Sequence, residues 1–76
     1  NFFNGKNLVF SGTLSSLSRD EAKYLAKSNG AKILSAISKN TDFLIIGEKA
    51  GSKVEKAKNI GVEILNEKDF ISKINQ

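Results

Sequence analysis

Leu8-Val9-Phe10-Ser11-Gly12-Thr13, followed five residues later by Ser18-Arg19-Asp20-Glu21-Ala22, is the stretch whose reading decides the fold. Three consecutive apolar residues running into a hydroxyl-glycine-hydroxyl turn read as a short buried strand. Ser18 with Glu21 three residues on makes a capping box, and Asp20 adds negative charge to a first helical turn. Ala22, Leu25 and Ala26 then recur at helical spacing. Asn29-Gly30 closes the helix, with Gly30 suited to the left-handed position beyond its end.

The rest of the chain repeats this alternation. Asn4-Gly5 reads as a turn, and Ala31 to Leu34 as a second strand. Ser35 to Asp42 is loop, in which Thr41 and Asp42 are suited to bond local backbone and pin it. Phe43-Leu44-Ile45-Ile46 is the most apolar run and reads as a central strand, stopped by Gly47. Gly51-Ser52 opens a second helix, with Ser52 and Glu55 as a second capping box and Val54, Ala57 and Ile60 as its apolar stripe. Gly61 ends it, and Val62 to Leu65 is the last strand. Asn66 caps a final helix whose core side is Phe70, Ile71 and Ile74. The order β-α-β-β-α-β-α implies an α/β fold, a mostly parallel sheet with helices on both faces. One link, Ser35 to Asp42, lacks a helix. Eight residues at ~3.3 Å each reach about 26 Å, against roughly 20 Å for a parallel crossover, so the loop is feasible but taut.

Seventy-six residues make one small domain, and the reading takes 1–76 as that single domain. With no cysteine and no histidine, disulfides, Cys/His zinc sites and Ser-His catalysis are excluded. No apolar run approaches the ~20 residues of a membrane span, and no secretion leader is legible. A net charge of +4 suits a polyanionic partner without requiring one. Asn at position 1 and the lack of methionine suggest a piece of a longer protein. Eleven lysines against one arginine, with eight Asn and eight Ile, suit an AT-rich, bacterial source.

Ligands of an open parallel sheet bind outside the carboxyl ends of its strands. Ser11-Gly12-Thr13 leading to Arg19, and Gly47 leading to Lys53, both reach that edge. Together they bring hydroxyls, helix N-termini and two cations, which suits an anion. The blander reading is a turn and solvated cations. Arg19 stands out as a lone arginine whose planar fork fits phosphate. Arg19, Lys23 and Lys27 share one side of the first helix, and Lys39 adds to the basic surface. Gly47 to Lys53 is not a phosphate loop of Walker type, because one spacer residue is missing and the lysine follows the serine. No Gly-x-Gly-x-x-Gly is present, and Asp20 and Glu21 are accounted for by capping and dipole.

These residues, with Gly5-Lys6, Asn29-Gly30-Ala31-Lys32, Ser38-Lys39-Asn40-Thr41-Asp42-Phe43-Leu44-Ile45, Gly51-Ser52-Lys53, Ala57 and Gly61-Val62, resemble a BRCT domain over nearly the whole chain. The subtype most similar is the single BRCT domain of bacterial NAD-dependent DNA ligases. The resemblance implies a four-stranded parallel sheet in order 2-1-3-4, with the first and third helices on one face and the second on the other. It implies phosphate or DNA binding through Ser11, Gly12, Thr13, Arg19 and Lys53. Lys23, Lys39, Lys49 and Lys56 are the further candidates for the DNA backbone. Many BRCT domains carry tryptophan in the third helix, where this chain has Phe70.

The function so implied is non-catalytic: DNA binding near a nick or a 5′-phosphorylated end, in support of replication and repair. No cofactor or metal is expected in this domain. NAD and Mg are expected of the ligase that would contain it. The partners expected are nicked or 5′-phosphorylated duplex DNA, other domains of the ligase or repair proteins, and no membrane. The localisation expected is the bacterial cytoplasm, at the nucleoid. The alternative is a module that docks proteins or phosphopeptides, weakened for phosphopeptides by the lack of a second repeat.

Overall fold

The computed structural model describes residues 2–75. Its elements run β1 (Asn7–Ser11), α1 (Arg19–Ser28), β2 (Lys32–Ile33), β3 (Phe43–Ile46), α2 (Ser52–Ile60), β4 (Glu63–Asn66) and α3 (Glu67–Ile74). The four strands form one parallel sheet in the order β2-β1-β3-β4. The architecture is the one expected, with the helix-free link between β2 and β3.

Alternation along the strands divides the core in two. Leu8, Phe10, Phe43, Ile45 and Leu65 pack with Ala22 and Ala26 of α1 and Phe70 of α3. Val9 and Leu44 turn to the opposite face and pack with Ile37, Val62 and Ala57 of α2. A parallel sheet covered on both faces needs apolar residues at consecutive positions, which is why β1 and β3 show unbroken apolar runs. Phe70 fills the tryptophan position: it is fully buried, 5.4 Å from the Phe3 ring and 5.4 Å from the Phe10 ring. Phe3 in turn stands edge-on to Phe43 at 5.7 Å.

Both residues expected to pin the β2–β3 loop do so, but only Thr41 bonds locally, while Asp42 reaches across to β1. The buried Thr41 hydroxyl accepts from the Ser38 N–H at 3.1 Å. Asp42 accepts from the Asn7 N–H at 2.7 Å, and the Asp42 N–H donates to the Asn7 carbonyl at 2.8 Å. The Asn7 side chain adds a bond to the Asn40 carbonyl at 2.8 Å. The loop is therefore stitched to the N-terminal end of β1.

Helix ends match in two cases and differ in one. Ser18 and Glu21 form the full reciprocal box, and Asn66 accepts from the Asp69 N–H. The expected Ser52–Glu55 box is not formed. Gly51 is the residue before α2, with φ 69°, and among the described residues no side chain caps that end. The chain reaches α2 through left-handed backbone at Lys49 and Gly51, so Ser52 is already helical. Ile60 also departs from its expected core role, being 39% exposed. Steps of three residues drift by roughly 60° around a 3.6-residue helix, so Val54-Ala57-Ile60 rotates its last member off the sheet. β2 is shorter than Ala31 to Leu34, with only Lys32 and Ile33 in register.

Two measurements check this packing. Phe70→Ala should lower stability by about 3–5 kcal/mol in urea denaturation, because an aromatic shared by two rings leaves a cavity. Ser18→Ala should cost about 1 kcal/mol, whereas Ser52→Ala should stay within about 0.5 kcal/mol.

Candidate functional site

The carboxyl ends of β1 and β3 carry two loops that are bonded directly to each other. The Gly47 N–H extends the ladder to the Ser11 carbonyl at 2.9 Å. Thr13 and Glu48 then exchange both backbone bonds, each at 2.9 Å, as an isolated antiparallel bridge. The Ser11 hydroxyl donates to the Ala50 carbonyl at 2.8 Å. Glycine is required at this crossing. A Cβ on Gly12 would lie 2.5 Å from the Glu48 carbonyl oxygen, and Gly12 has φ +80°. A Cβ on Gly47 would collide with the Thr13 carbonyl.

Strand geometry explains Arg19. Successive residues of a parallel strand aim their backbone groups at alternate neighbours. Leu8 faces β2, since its carbonyl accepts from the Leu34 N–H at 2.8 Å, and Ser11 faces β3. Phe10 therefore faces β2 as well, but β2 has ended by then. The Arg19 guanidinium, from the first residue of α1, donates to the Phe10 carbonyl at 2.9 Å. One of its five N–H groups is used in this way, which holds the planar fork at the sheet edge.

The expected residues do not all fall together. Ser11, Gly12, Thr13 and Arg19 lie at the carboxyl end of β1 and the start of α1. Lys53 lies in the first turn of α2, three residues after Ala50, so its Cα is within roughly 11 Å of that residue's. Ser11 is buried, and its single hydroxyl proton is committed to Ala50. It acts here as the tie between the loops, while Thr13 is exposed. Lys23 is one turn along α1 from Arg19, Lys49 stands in the β3–α2 loop, and Lys56 follows Lys53 on α2. Lys39 is separated from these. It sits in the loop stitched to Asn7, at the other end of β1, about 13 Å away at ~3.3 Å per residue.

One residue at this edge was not legible as a site member. Glu67, the first residue of α3, accepts from the Ser15 N–H at 3.1 Å and the Ser15 hydroxyl at 2.8 Å. Its other oxygen accepts from the Ser16 N–H at 2.8 Å and the Leu17 N–H at 3.2 Å. The Ser15 hydroxyl, joined by the N–H groups of Ser16, Ser15 and Leu17, holds the carboxyl below its ordinary value, against an opposing effect of burial. In sequence, Glu67 reads only as first-turn negative charge, because its partners are 50 to 52 residues away. Thr13, Ser15, Ile46, Gly47, Glu48, Asn66, Glu67 and Lys68 line a shallow groove of about 290 Å³ beside it.

Among the described residues, no group of three or more acidic, histidine or cysteine side chains gathers as a metal site, and no helix is long and apolar enough to cross a membrane.

Comparison with known proteins follows the same residues. Residues 1–72 match the family model described as the BRCA1 C Terminus (BRCT) domain. The chain is 59% identical over 70 residues to a DNA ligase of Prochlorococcus marinus (strain NATL1A), covering 92% of this chain and 10% of that protein. It is 50% identical over 74 residues to a DNA ligase of Clostridium botulinum (strain Kyoto / Type A2), covering 97% and 11%. It is 51% identical over 76 residues to a DNA ligase of Helicobacter hepaticus, covering 100% and 12%. The chain thus spans about a tenth of the length of these relatives, which carry the ligase name that the resemblance led one to expect. A family model matched over nearly every residue of the sheet and helices described above carries one conclusion: the chain belongs to the BRCT family.

Proposed function

We propose that this chain is a non-catalytic DNA-binding module of a bacterial DNA ligase, contacting duplex DNA near a nick or 5′-phosphate. The observation that carries the reading is the bonded crossing of the two loops. α1 and α2 both start beyond it, at the carboxyl end of the sheet, with Arg19 and Lys53 in their first turns. The backbone at Gly12 and Thr13, the Arg19 fork and the Lys53 ammonium would meet a phosphate. Lys23, Lys49 and Lys56 would follow the DNA backbone. Lys39, at the far end of β1, would contribute only to a long duplex footprint. Helix N-termini favour anions through their free N–H groups, and arginine held in place favours phosphate by its bidentate geometry.

The module's contribution would be local concentration: a weak DNA contact tethered to a ligase raises the ligase's occupancy on DNA. The NAD and Mg chemistry of ligation would belong to other domains of that ligase. The proposed location is the bacterial cytoplasm, at the nucleoid.

A second reading, docking of a protein partner, is favoured by Tyr24. It is 71% exposed on α1 and lines an open groove of about 320 Å³ with Asp20, Glu21 and Leu25.

Titration of duplexes that differ only in a 5′-phosphate separates the two. On the DNA reading, the phosphorylated duplex binds more tightly. Arg19→Ala and Lys53→Ala each remove most of that preference, while Tyr24→Ala leaves it intact. Equal binding of both duplexes, with both cation variants silent, would reject the end-reading site. If about three phosphates are contacted, log Kd should change with log salt at a slope of magnitude near 2.7. A slope near zero would favour the docking surface.

A further inference from the structure

The segment from Ser15 to Leu17 has an unusual hydrogen-bond balance. It joins the bonded crossing at Thr13 to the capping residue Ser18, and so to Arg19. All three of its N–H groups and one of its hydroxyls end on a single carboxylate, that of Glu67. Consecutive backbone donors in a loop ordinarily use water or local acceptors. Here they converge on a group brought by α3, whose own place is fixed by the buried Phe70. We infer that Glu67 is a positioning residue: it sets the course of the β1–α1 loop and thereby the placement of Arg19 at the sheet edge.

This inference deepens the DNA reading, and only its last readout rests on that reading. The chemistry follows from charge. An ionised carboxylate with two oxygens accepts four bonds, two on each, and Glu67 has that number. The amide of a glutamine keeps one acceptor oxygen and turns a donor toward N–H groups that are themselves donors. Glu67→Gln therefore conserves size and breaks the geometry at half of its contacts. Glu48 from the β3–α2 loop and Lys68 of its own helix are charged groups that line the same groove as Glu67. Asp69 lies two residues further in the first turn of α3. The ionised form is supported first by the Ser15 hydroxyl and then by the three N–H donors.

The test uses the 76-residue chain, Glu67→Gln, Glu67→Asp, and Lys68→Ala as a control on the same helix. Amide NMR against pH comes first. The Ser15, Ser16 and Leu17 amide signals should titrate together, at a pH below the ordinary 4.5 of a glutamate. The contact is held above that midpoint and released as pH falls through it. In Glu67→Gln that titration should vanish and exchange at Ser16 and Leu17 should rise at least tenfold, with the sheet amides unchanged. Three amides that do not follow the Glu67 titration would overturn the inference, whatever DNA does.

The second readout is the 5′-phosphorylated duplex. Glu67→Gln should weaken binding three- to tenfold, Glu67→Asp should restore part of it, and Lys68→Ala should reproduce neither the loss nor the loosened amides. Tighter binding by Glu67→Gln would overturn the inference, because the carboxylate would then be competing with phosphate for those N–H groups. Unaltered binding by Glu67→Gln, where Arg19→Ala still weakens it, would overturn it too. If Arg19→Ala and Lys53→Ala are themselves silent, the DNA reading fails alone, and the amide titration decides whether Glu67 positions the loop.

Discussion

Two backbone segments approach each other where β1 and β3 end, and everything at the candidate site depends on how close they come. Thr13 and Glu48 exchange their N–H and carbonyl groups, and the Ser11 hydroxyl closes on Ala50. Side chains are excluded from the crossing at Gly12 and Gly47. The result is a hydrogen-bonded floor that precedes both α1 and α2. An anion site built on helix N-termini needs such a floor, because the free N–H groups act only within the first turn and their direction must be set beforehand.

The second constraint is the shortness of β2. A strand of two residues cannot cover β1, so the Phe10 carbonyl faces an edge with no strand beside it. Arg19 fills that position from the next element of the chain. On the proposed reading, the same contact would serve stability and recognition at once. It satisfies a backbone acceptor, and it holds a guanidinium with donors to spare where a phosphate would arrive. Glu67 plays a related part in the same loop, supplying one carboxylate to several donors. Between them, one cation and one anion hold the path from β1 to α1, so charge at this edge organises the backbone as well as the surface.

Much of the fold is legible residue by residue. Phe43 to Ile46 is bounded by Asp42 and Gly47, and the strand has those limits. Ser18 and Glu21 announce α1, and the pair forms because both partners are three residues apart. Where the reading fails, the cause is backbone geometry that residue spacing does not state. Ser52 has the spacing of a cap, but the left-handed entry at Gly51 places it one position too late. Ile60 has the spacing of a stripe, but the drift of the helix turns it outward. Asn66 is both the last residue of β4 and the cap of α3, because strand and helix meet without a loop.

For the site, local chemistry specified the residue types and their neighbourhood. A hydroxyl-glycine-hydroxyl turn after an apolar strand, and cations at two helix starts, are written within short windows of the chain. Their partnerships are not. Which carbonyl Arg19 meets depends on where another strand stops, and which hydroxyl proton is free depends on a loop 39 residues away. Glu67 and the amides of Ser15 to Leu17 are brought together only when α3 packs through Phe70. Capping and alternation act between near neighbours and so are carried by sequence, whereas a hydrogen bond across the sheet edge exists only once the core has set the distance.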